Sequence, residues 1–411
     1  MPPSEAHAQP GLPTRRNGGV LARLRGMEGA QSGAVTRDLR LDFFRGLSLF
    51  FIFIDHIPEN LLSYLTIHSI AFCDAAEVFI FISGYTAALV YGQSLRRNGA
   101  LLAIAQIYRR VWQLYVAHIF LFVIFTAEVS YTLIALQNPM YTEELGVGDF
   151  LAAPHIALIR ALLLDFQPNF LDILPLYIVL LGSFPIVLVA LEINPLLPLA
   201  LSALLYMLTL SLGWSLHTFP EDHVWFFNPL AWQFLFVIGA SAGHARTRGA
   251  PPLVLPRWLS GLAVAVAVAF GLISLSWMAH WVYDPFPPLF LKLWNFTLDK
   301  TNLAPLRLIS FLALAGATLH FVRPDSAFLA MRAARPVVLC GQHSLYVFCL
   351  GILLSVLGHF VLSELSSGLP MQAVVNLIGI VLMVATAALL QWFKAASRRG
   401  PASSVQPAPS E

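Results

Sequence analysis

Charged residues are scarce in this chain: Asp, Glu, Lys and Arg make up 11% of its 411 residues, whereas soluble proteins contain about 25%. Hydrophobic residues make up 58%, and the mean hydropathy is +0.73. The net charge of +2 is too small to favour nucleic acid as a partner. The composition therefore indicates a protein embedded in membrane lipid and argues against two or three soluble domains.

Cysteine and the common catalytic motifs are also scarce. The three cysteines, Cys73, Cys340 and Cys349, lie in apolar surroundings without the spacing of a metal site. There is no glycine-rich phosphate loop, no Gly-x-Ser-x-Gly elbow and no His-Glu-x-x-His motif. We therefore predict no metal site and no permanently bound cofactor.

Long apolar stretches dominate what remains. They predict an all-α integral membrane protein with about ten transmembrane helices in one bundle over 37–394. Segments 1–36 and 395–411 are predicted to be disordered cytoplasmic tails. Two apolar patches, 61–72 and 150–164, are too short or broken to span and suit interfacial or re-entrant helices. The ten predicted spans are 41–58, 74–92, 110–136, 172–191, 195–213, 228–245, 257–280, 303–322, 336–362 and 370–393.

The basic residues indicate an orientation. Most of the 24 Lys and Arg residues lie before residue 41, in alternate connections, or after the last span. The intervening connections are acidic. Because cytoplasmic loops are enriched in Lys and Arg, both termini are predicted to be cytoplasmic. In a bacterium this corresponds to a multi-pass protein of the inner membrane.

Two ionisable residues share one stripe of the first span. Arg45 and His56 are eleven residues apart, which on a helix is three turns plus about 20° and a rise of about 16 Å. Asp42 lies one turn before Arg45, where it can hold the guanidinium. The pair suits an anion site in line with a proton-transfer site. Alternatively, Arg45 is a juxtamembrane anchor and His56 an interfacial histidine.

The second span begins with two carboxylates at the depth of His56. Asp74 suits a helix N-cap, which is the interpretation we favour for it. Glu77 is one turn further on the same face. A carboxylate beside an imidazole raises its basicity, so Glu77 is predicted to assist His56 as a general base. The alternative is a first-turn acid favoured by the helix dipole.

Three further groups are candidates for binding. Arg109 and Arg110 begin the third span and suit either a phosphate contact or a topology signal. His343, near the start of the ninth span, is either a cofactor contact or a buried hydrogen-bonded histidine. A polar group around the start of the eighth span suits a sugar or an anionic ligand, or is a solvated loop; it comprises Asp299, Lys300, Asn302 and Arg307.

Several phrases carry a resemblance to a known family. Arg45-x10-His56 and the Phe79-Ile-Phe-Ile-Ser-Gly-Tyr85 phrase resemble membrane acyltransferases of the acyltransferase-3 type. The core from about 38 to 393 resembles the OpgC branch, named for succinylation of osmoregulated periplasmic glucans. The phrases that match this branch begin at Arg37, Asp74, Gln167, Asn228, Asp299 and Gly341.

The resemblance implies an acyltransferase. It would move an acyl group, succinyl in the OpgC branch, from cytoplasmic acyl-CoA as co-substrate to a hydroxyl of a periplasmic glucan or related glycan. His56 would be the catalytic histidine, acting as a general base or a transient acyl carrier, and Arg45 a contact of the acyl donor. The alternative is a transporter or flippase for an anionic or lipid-linked glycan, which the absence of inverted repeats disfavours.

The orientation is testable with reporter fusions. Fusions after Arg97 and after Arg399 are expected to report the cytoplasm, and a fusion after Asp149 the opposite side, because basic residues accumulate on the cytoplasmic side. Alkaline phosphatase and a fluorescent protein serve as paired reporters. A cytoplasmic signal after Asp149 would overturn the span assignment.

Overall fold

The structure, a computed structural model, describes residues 38–136, 141, 144–220, 223–250, 255–282 and 298–398. This part of the chain is predominantly helical, with one two-stranded antiparallel hairpin in which His217 pairs with Val224. The predicted all-α class is thereby confirmed. The predicted tail 1–36 lies outside the described residues, and the last helix continues past residue 394 to Arg398.

The regular elements follow the apolar stretches. The strands are β1 (His217–Thr218) and β2 (His223–Val224), and short 3₁₀ helices cover Leu61–Leu65 and Ala327–Ala330. The α-helices in the described segments are α1 (Leu39–Asp55), α2 (Ile67–Ile70), α3 (Ala75–Asn98), α4 (Ala100–Leu136), α5 (Gly148–Ala152), α6 (Pro154–Leu162), α7 (Ile173–Ile193), α8 (Leu196–Leu212), α9 (Pro229–Thr247), α10 (Arg257–Val282), α11 (Pro305–Phe321), α12 (Arg335–Gln342), α13 (Ser344–Glu364) and α14 (Leu369–Arg398).

Six helices in the described part of the chain are long and apolar enough to cross a membrane: α3, α4, α7, α10, α13 and α14. The apolar helices α8 and α11 have 17 residues each, which is about 25 Å of helix against a hydrocarbon thickness of about 30 Å. Helix α1 also has 17 residues, and α9 carries Gln233, His244 and Arg246. The predicted count of about ten spans is therefore not confirmed, although every predicted stretch is helical.

At two places the helices differ from the predicted spans. The connection predicted between the second and third spans is a single residue, Gly99, whose φ of +83° suits glycine and turns α3 directly into α4. Arg109 and Arg110 consequently lie inside α4. The predicted ninth span is broken at His343 into α12 and α13. The two short patches are confirmed as short helices, in α2 and the preceding 3₁₀ turn and in α5 and α6.

Glycines set how closely the helices pack. A Cβ added to Gly84 of α3 would collide with the carbonyl oxygen of Phe236 in α9, and one added to Gly239 of α9 would collide with that of Phe81. Gly46 of α1 and Gly341 of α12 form the same kind of contact. Because small residues let helix backbones touch, α3 is held on α9 and α1 on α12. These two contacts fix the positions of α1 and α3, and both of these helices contribute residues to the candidate site.

Candidate functional site

Helix α1 carries the predicted pair without a break. Asp38 caps its start by accepting a hydrogen bond from the Arg40 N–H at 3.0 Å, and His56 is the residue at its C-terminal end. The helical rise separates Arg45 from His56 by about 16 Å along one stripe, as predicted. Each of the two side chains lines a different cavity.

The larger cavity, here called the histidine cavity, has a volume of about 600 Å³. It lies where the end of α1 meets the starts of α3 and α7 and the loop that contains Lys300. Carboxylates and aromatic rings predominate in its lining. Besides His56, its principal lining residues are Asp55, Glu59, His68, Asp74, Glu144, Asn169, Phe170, Asp172, Phe226, Phe227, Lys300 and Phe348.

The His56 ring packs against the Phe170 ring in an edge-to-face contact. Its ring centroid lies 4.5 Å from that of Phe170, at an interplanar angle of 68°. Phe170 has a φ of +73°, a conformation that costs a non-glycine residue of order 1–3 kcal/mol. The Nδ1 atom of His56 is buried and has no hydrogen-bond partner among the described residues. Phe170 therefore restricts the orientation of the His56 ring.

A second histidine lines the same cavity. The Thr66 hydroxyl donates to Asp55 Oδ1 at 2.8 Å and lies 2.8 Å from His68 Nδ1. His68 Nδ1 is 3.4 Å from Asp55 Oδ1. The sequence does not single out His68, because this residue lies in a short patch without helical periodicity. Its only sequence signal is the presence of polar residues in an otherwise apolar segment.

Glu77 has a different partner from the one we predicted. The Arg307 guanidinium lies 2.6 Å from Glu77 Oε1 and 3.1 Å from Asp74 Oδ2. Glu77 is fully buried and accepts the Asp74 N–H at 2.9 Å, while Asp74 accepts the Ala76 N–H at 2.8 Å. This capping box confirms the N-cap interpretation of Asp74. Glu77 does not line the histidine cavity, since it is turned towards α11.

Among the four residues predicted to bind a sugar or an anionic ligand, only Lys300 lines the histidine cavity. Its Nζ lies 2.8 Å from Asp74 Oδ2 and over the rings of Phe226 and Phe227, at 5.6 and 5.3 Å from their centroids. Burial lowers the pKa of Lys300, but the charge of Asp74 outweighs this effect and raises it above the ordinary value. Lys300 is therefore a cation fixed on the cavity wall.

The other members of that group support the fold. Asn302 donates to Asp299 Oδ2 at 2.8 Å and accepts from the Asn228 amide at 2.9 Å. The Lys300 carbonyl accepts from the Trp232 indole at 3.0 Å. These bonds tie the loop before α11 to the start of α9, and the Arg307 ion pairs tie α11 to the start of α3.

The smaller cavity, here called the arginine cavity, has a volume of about 190 Å³. Arg45 lines it and donates to Thr86 Oγ1 at 2.8 Å and to the Ile82 carbonyl at 3.3 Å. Arg110 lines it from α4. The remaining lining residues are Phe79, Ser83, Thr86, Ala87, Val90, Tyr91, Leu114, Leu174, Tyr177, Ser344, Leu345 and Phe348.

Three predicted donor contacts do not line this cavity. Asp42 is buried where α1 packs on α12. Arg109 is exposed on α4, although the adjacent Arg110 lines the cavity. His343 Nε2 lies 3.1 Å from Gln391 Oε1, so its ring contacts α14. The structure thus brings Arg45 and Arg110 together and separates the other three from them.

Comparisons with known proteins give one match. A family model described as OpgC protein matches residues 37–395, nearly the whole described chain. No curated protein and no solved structure matches the chain. The matched segment contains all the lining residues of both cavities.

The Arg307 ion pairs are expected to stabilise the fold strongly. Arg307→Ala leaves Glu77 buried without its cation, which costs about 3–5 kcal/mol. Arg160→Ala is the control, because the Arg160–Asp165 pair is largely exposed and such pairs contribute about 0–1 kcal/mol. Thermal unfolding of the purified proteins in detergent compares them. Equal unfolding temperatures would show that the buried pair contributes nothing specific.

Proposed function

The chain belongs to the OpgC protein family, and from this premise we propose that it is an integral membrane O-acyltransferase. Family membership and the apolar helices make it a membrane protein of the kind that modifies glucans. The proposed reaction transfers an acyl group from acyl-CoA to a glycan hydroxyl. The proposed acyl group is succinyl and the proposed acceptor a periplasmic glucan, on the sequence resemblance to the OpgC branch.

One observation carries the proposal: residues of the single helix α1 line two different cavities. Arg45 lines one cavity and His56 the other, and about 16 Å of helix separates them. An enzyme that uses a donor from one side of a membrane and an acceptor from the other needs this arrangement. Each cavity then receives one substrate, and only the reacting group has to cross.

The arginine cavity suits the donor. Both Arg45 and Arg110 line this cavity, and the planar guanidinium of arginine is suited to bidentate contacts with phosphate oxygens. At about 190 Å³ the cavity is smaller than the roughly 300–1,000 Å³ of a site that encloses a whole drug-sized ligand. The phosphates of acyl-CoA would therefore rest at the mouth of the cavity, and the thioester arm would enter it.

The histidine cavity suits a sugar. Its carboxylates accept hydrogen bonds from several hydroxyl groups at once, and Asp55, Glu59 and Asp172 are on its wall. The faces of Phe226 and Phe227 provide apolar surface for the ring carbons. A polar wall with a few aromatic faces is what a neutral glycan needs for orientation.

The proposed chemistry centres on His56. Its imidazole takes the proton of the acceptor hydroxyl, whose oxygen attacks the thioester carbonyl carbon. The C–S bond breaks as the C–O ester bond forms, and the leaving thiolate receives the proton from the imidazolium. Phe170 holds the ring in place. In this proposal the arginine cavity faces the cytoplasm of a bacterial inner membrane, in agreement with the positions of the basic residues.

A transporter of anionic or lipid-linked glycans is the second candidate. An alternating-access transporter also keeps the two sides of the membrane apart by a barrier next to its binding site. The two functions differ in one measurement. A purified acyltransferase releases CoA from acyl-CoA when a glycan is present, and a transporter does not.

His56→Ala is expected to lower acyl transfer by about 10²–10⁴-fold, the usual contribution of a general acid–base group. His320→Ala is the control, since His320 is an exposed histidine at the end of α11 and lines neither cavity. Release of CoA in the presence of glycan is measured on protein that elutes as a single species. Full activity of His56→Ala would rule out the proposed chemistry.

Two adjacent arginines test the donor site. Arg110→Ala is expected to raise the apparent KM for acyl-CoA about tenfold, because a charge-assisted phosphate contact contributes roughly 1.5–3 kcal/mol. Arg109→Ala removes the same charge from the next position on α4 but outside the cavity, so its KM is expected to change less than twofold. Steady-state kinetics with varied donor at saturating glycan measures both. An equal effect of the two variants would mean that only surface charge matters.

A further inference from the structure

One residue lines both cavities. Phe348 of α13 is the only described residue common to the wall of the arginine cavity and the wall of the histidine cavity. It is 2% exposed, and it lies one helical turn after Ser344, which lines the arginine cavity only. The two cavities therefore adjoin at the Phe348 side chain.

On two other helices, neighbouring residues line different cavities, and the change from one cavity to the other occurs beside Phe348. On α7, Ile173 lines the histidine cavity and the next residue, Leu174, lines the arginine cavity. On α3, Ala76 lines the former, and Phe79, one turn further, lines the latter. Together with Phe348 these positions define a single layer of side chains. The barrier between the cavities is thus about one side chain thick.

The layer is aromatic and closely packed. The ring centroids of Phe348 and Phe79 are 6.3 Å apart, and those of Phe79 and Tyr177 are 6.1 Å apart with an edge-to-face angle of 82°. These separations are typical of interacting aromatic pairs. Tyr177 and Phe79 line only the arginine cavity. Phe348 is therefore the ring whose removal would join the two spaces directly.

We infer that Phe348 is the partition through which the acyl group passes, and that it keeps water of the histidine cavity from the donor thioester. The inference rests on the proposed acyl transfer. It adds a residue that determines which acyl groups pass from the arginine cavity to the histidine cavity. Phe348 acts by excluding water and limiting the size of the acyl group. Without it, water attacks the thioester carbonyl carbon, the C–S bond breaks, and the products are a free acid and CoA.

The first test needs no enzymatic activity. Ser83→Cys places a thiol in the arginine cavity with an almost isosteric change, in a chain whose three native cysteines are alanine. A charged methanethiosulfonate reagent is applied to each face of membrane vesicles in turn. With Phe348 present, we expect modification from one face only. With Phe348→Ala, we expect modification from both faces, at least tenfold faster from the second face than before.

Phe360→Ala is the matched control for this test. Phe360 lies in the same helix and is buried, but packs on Tyr141 instead of lining a cavity. It is expected to leave the one-sided labelling unchanged. If Phe348→Ala does not elute as a single folded species, Phe348→Leu replaces it. Labelling from both faces with Phe348 in place, or from one face still without it, would overturn the partition.

The second test measures the donor. In the absence of glycan, Phe348→Ala is expected to hydrolyse acyl-CoA at least tenfold faster than the unmodified protein, whereas Phe360→Ala does not. In the presence of glycan, Phe348→Ala is expected to accept acyl groups larger than succinyl. An unchanged ratio of hydrolysis to transfer would contradict the role of Phe348. If the unmodified protein shows neither reaction, the proposed function fails, and the labelling experiment still decides whether Phe348 separates the cavities.

Discussion

Arg307 is the side chain on which one end of the helix bundle depends. It neutralises Glu77, which is fully buried, and shares Asp74 with Lys300. A carboxylate within an apolar bundle is tolerated only when it is paired and hydrogen-bonded, because the desolvation cost otherwise reaches several kcal/mol. This requirement fixes α11 against the start of α3. Asp74, which Arg307 also contacts, holds Lys300 on the wall of the histidine cavity.

The position of α1 is the second constraint on the site. The backbones of α1 and α12 are in direct contact at Gly46 and Gly341, with no side chain between them. Such close contact fixes the position of α1 against α12. Since Arg45 and His56 lie on one unbroken helix, they move as a unit. The separation of Arg45 and His56 along the helix axis is then set by the α-helical rise alone. In the proposed function, this separation suits a long, flexible donor arm better than a compact substrate.

The two cavities differ in chemistry as strongly as in size. One has two arginines in the wall of a small space, and the other has carboxylates, two histidines and a fixed lysine around a space about three times larger. In the proposed function, the arginines face phosphates and the carboxylates face sugar hydroxyls. The aromatic layer at Phe348 lies between the two cavities.

The sequence by itself determined the helical class, the positions of the apolar helices, the shared stripe of Arg45 and His56, and the capping role of Asp74, because composition, helical periodicity and capping are local properties. Only the tertiary structure decided that Glu77 pairs with Arg307, that Arg110 and not Arg109 lines a cavity, and that His68 and Phe170 lie in the same cavity as His56. These outcomes depend on which helices face one another. Ion pairs such as Arg307–Glu77 and backbone contacts such as Gly46–Gly341 join residues far apart in the chain, so a residue's partner cannot be deduced from its own position.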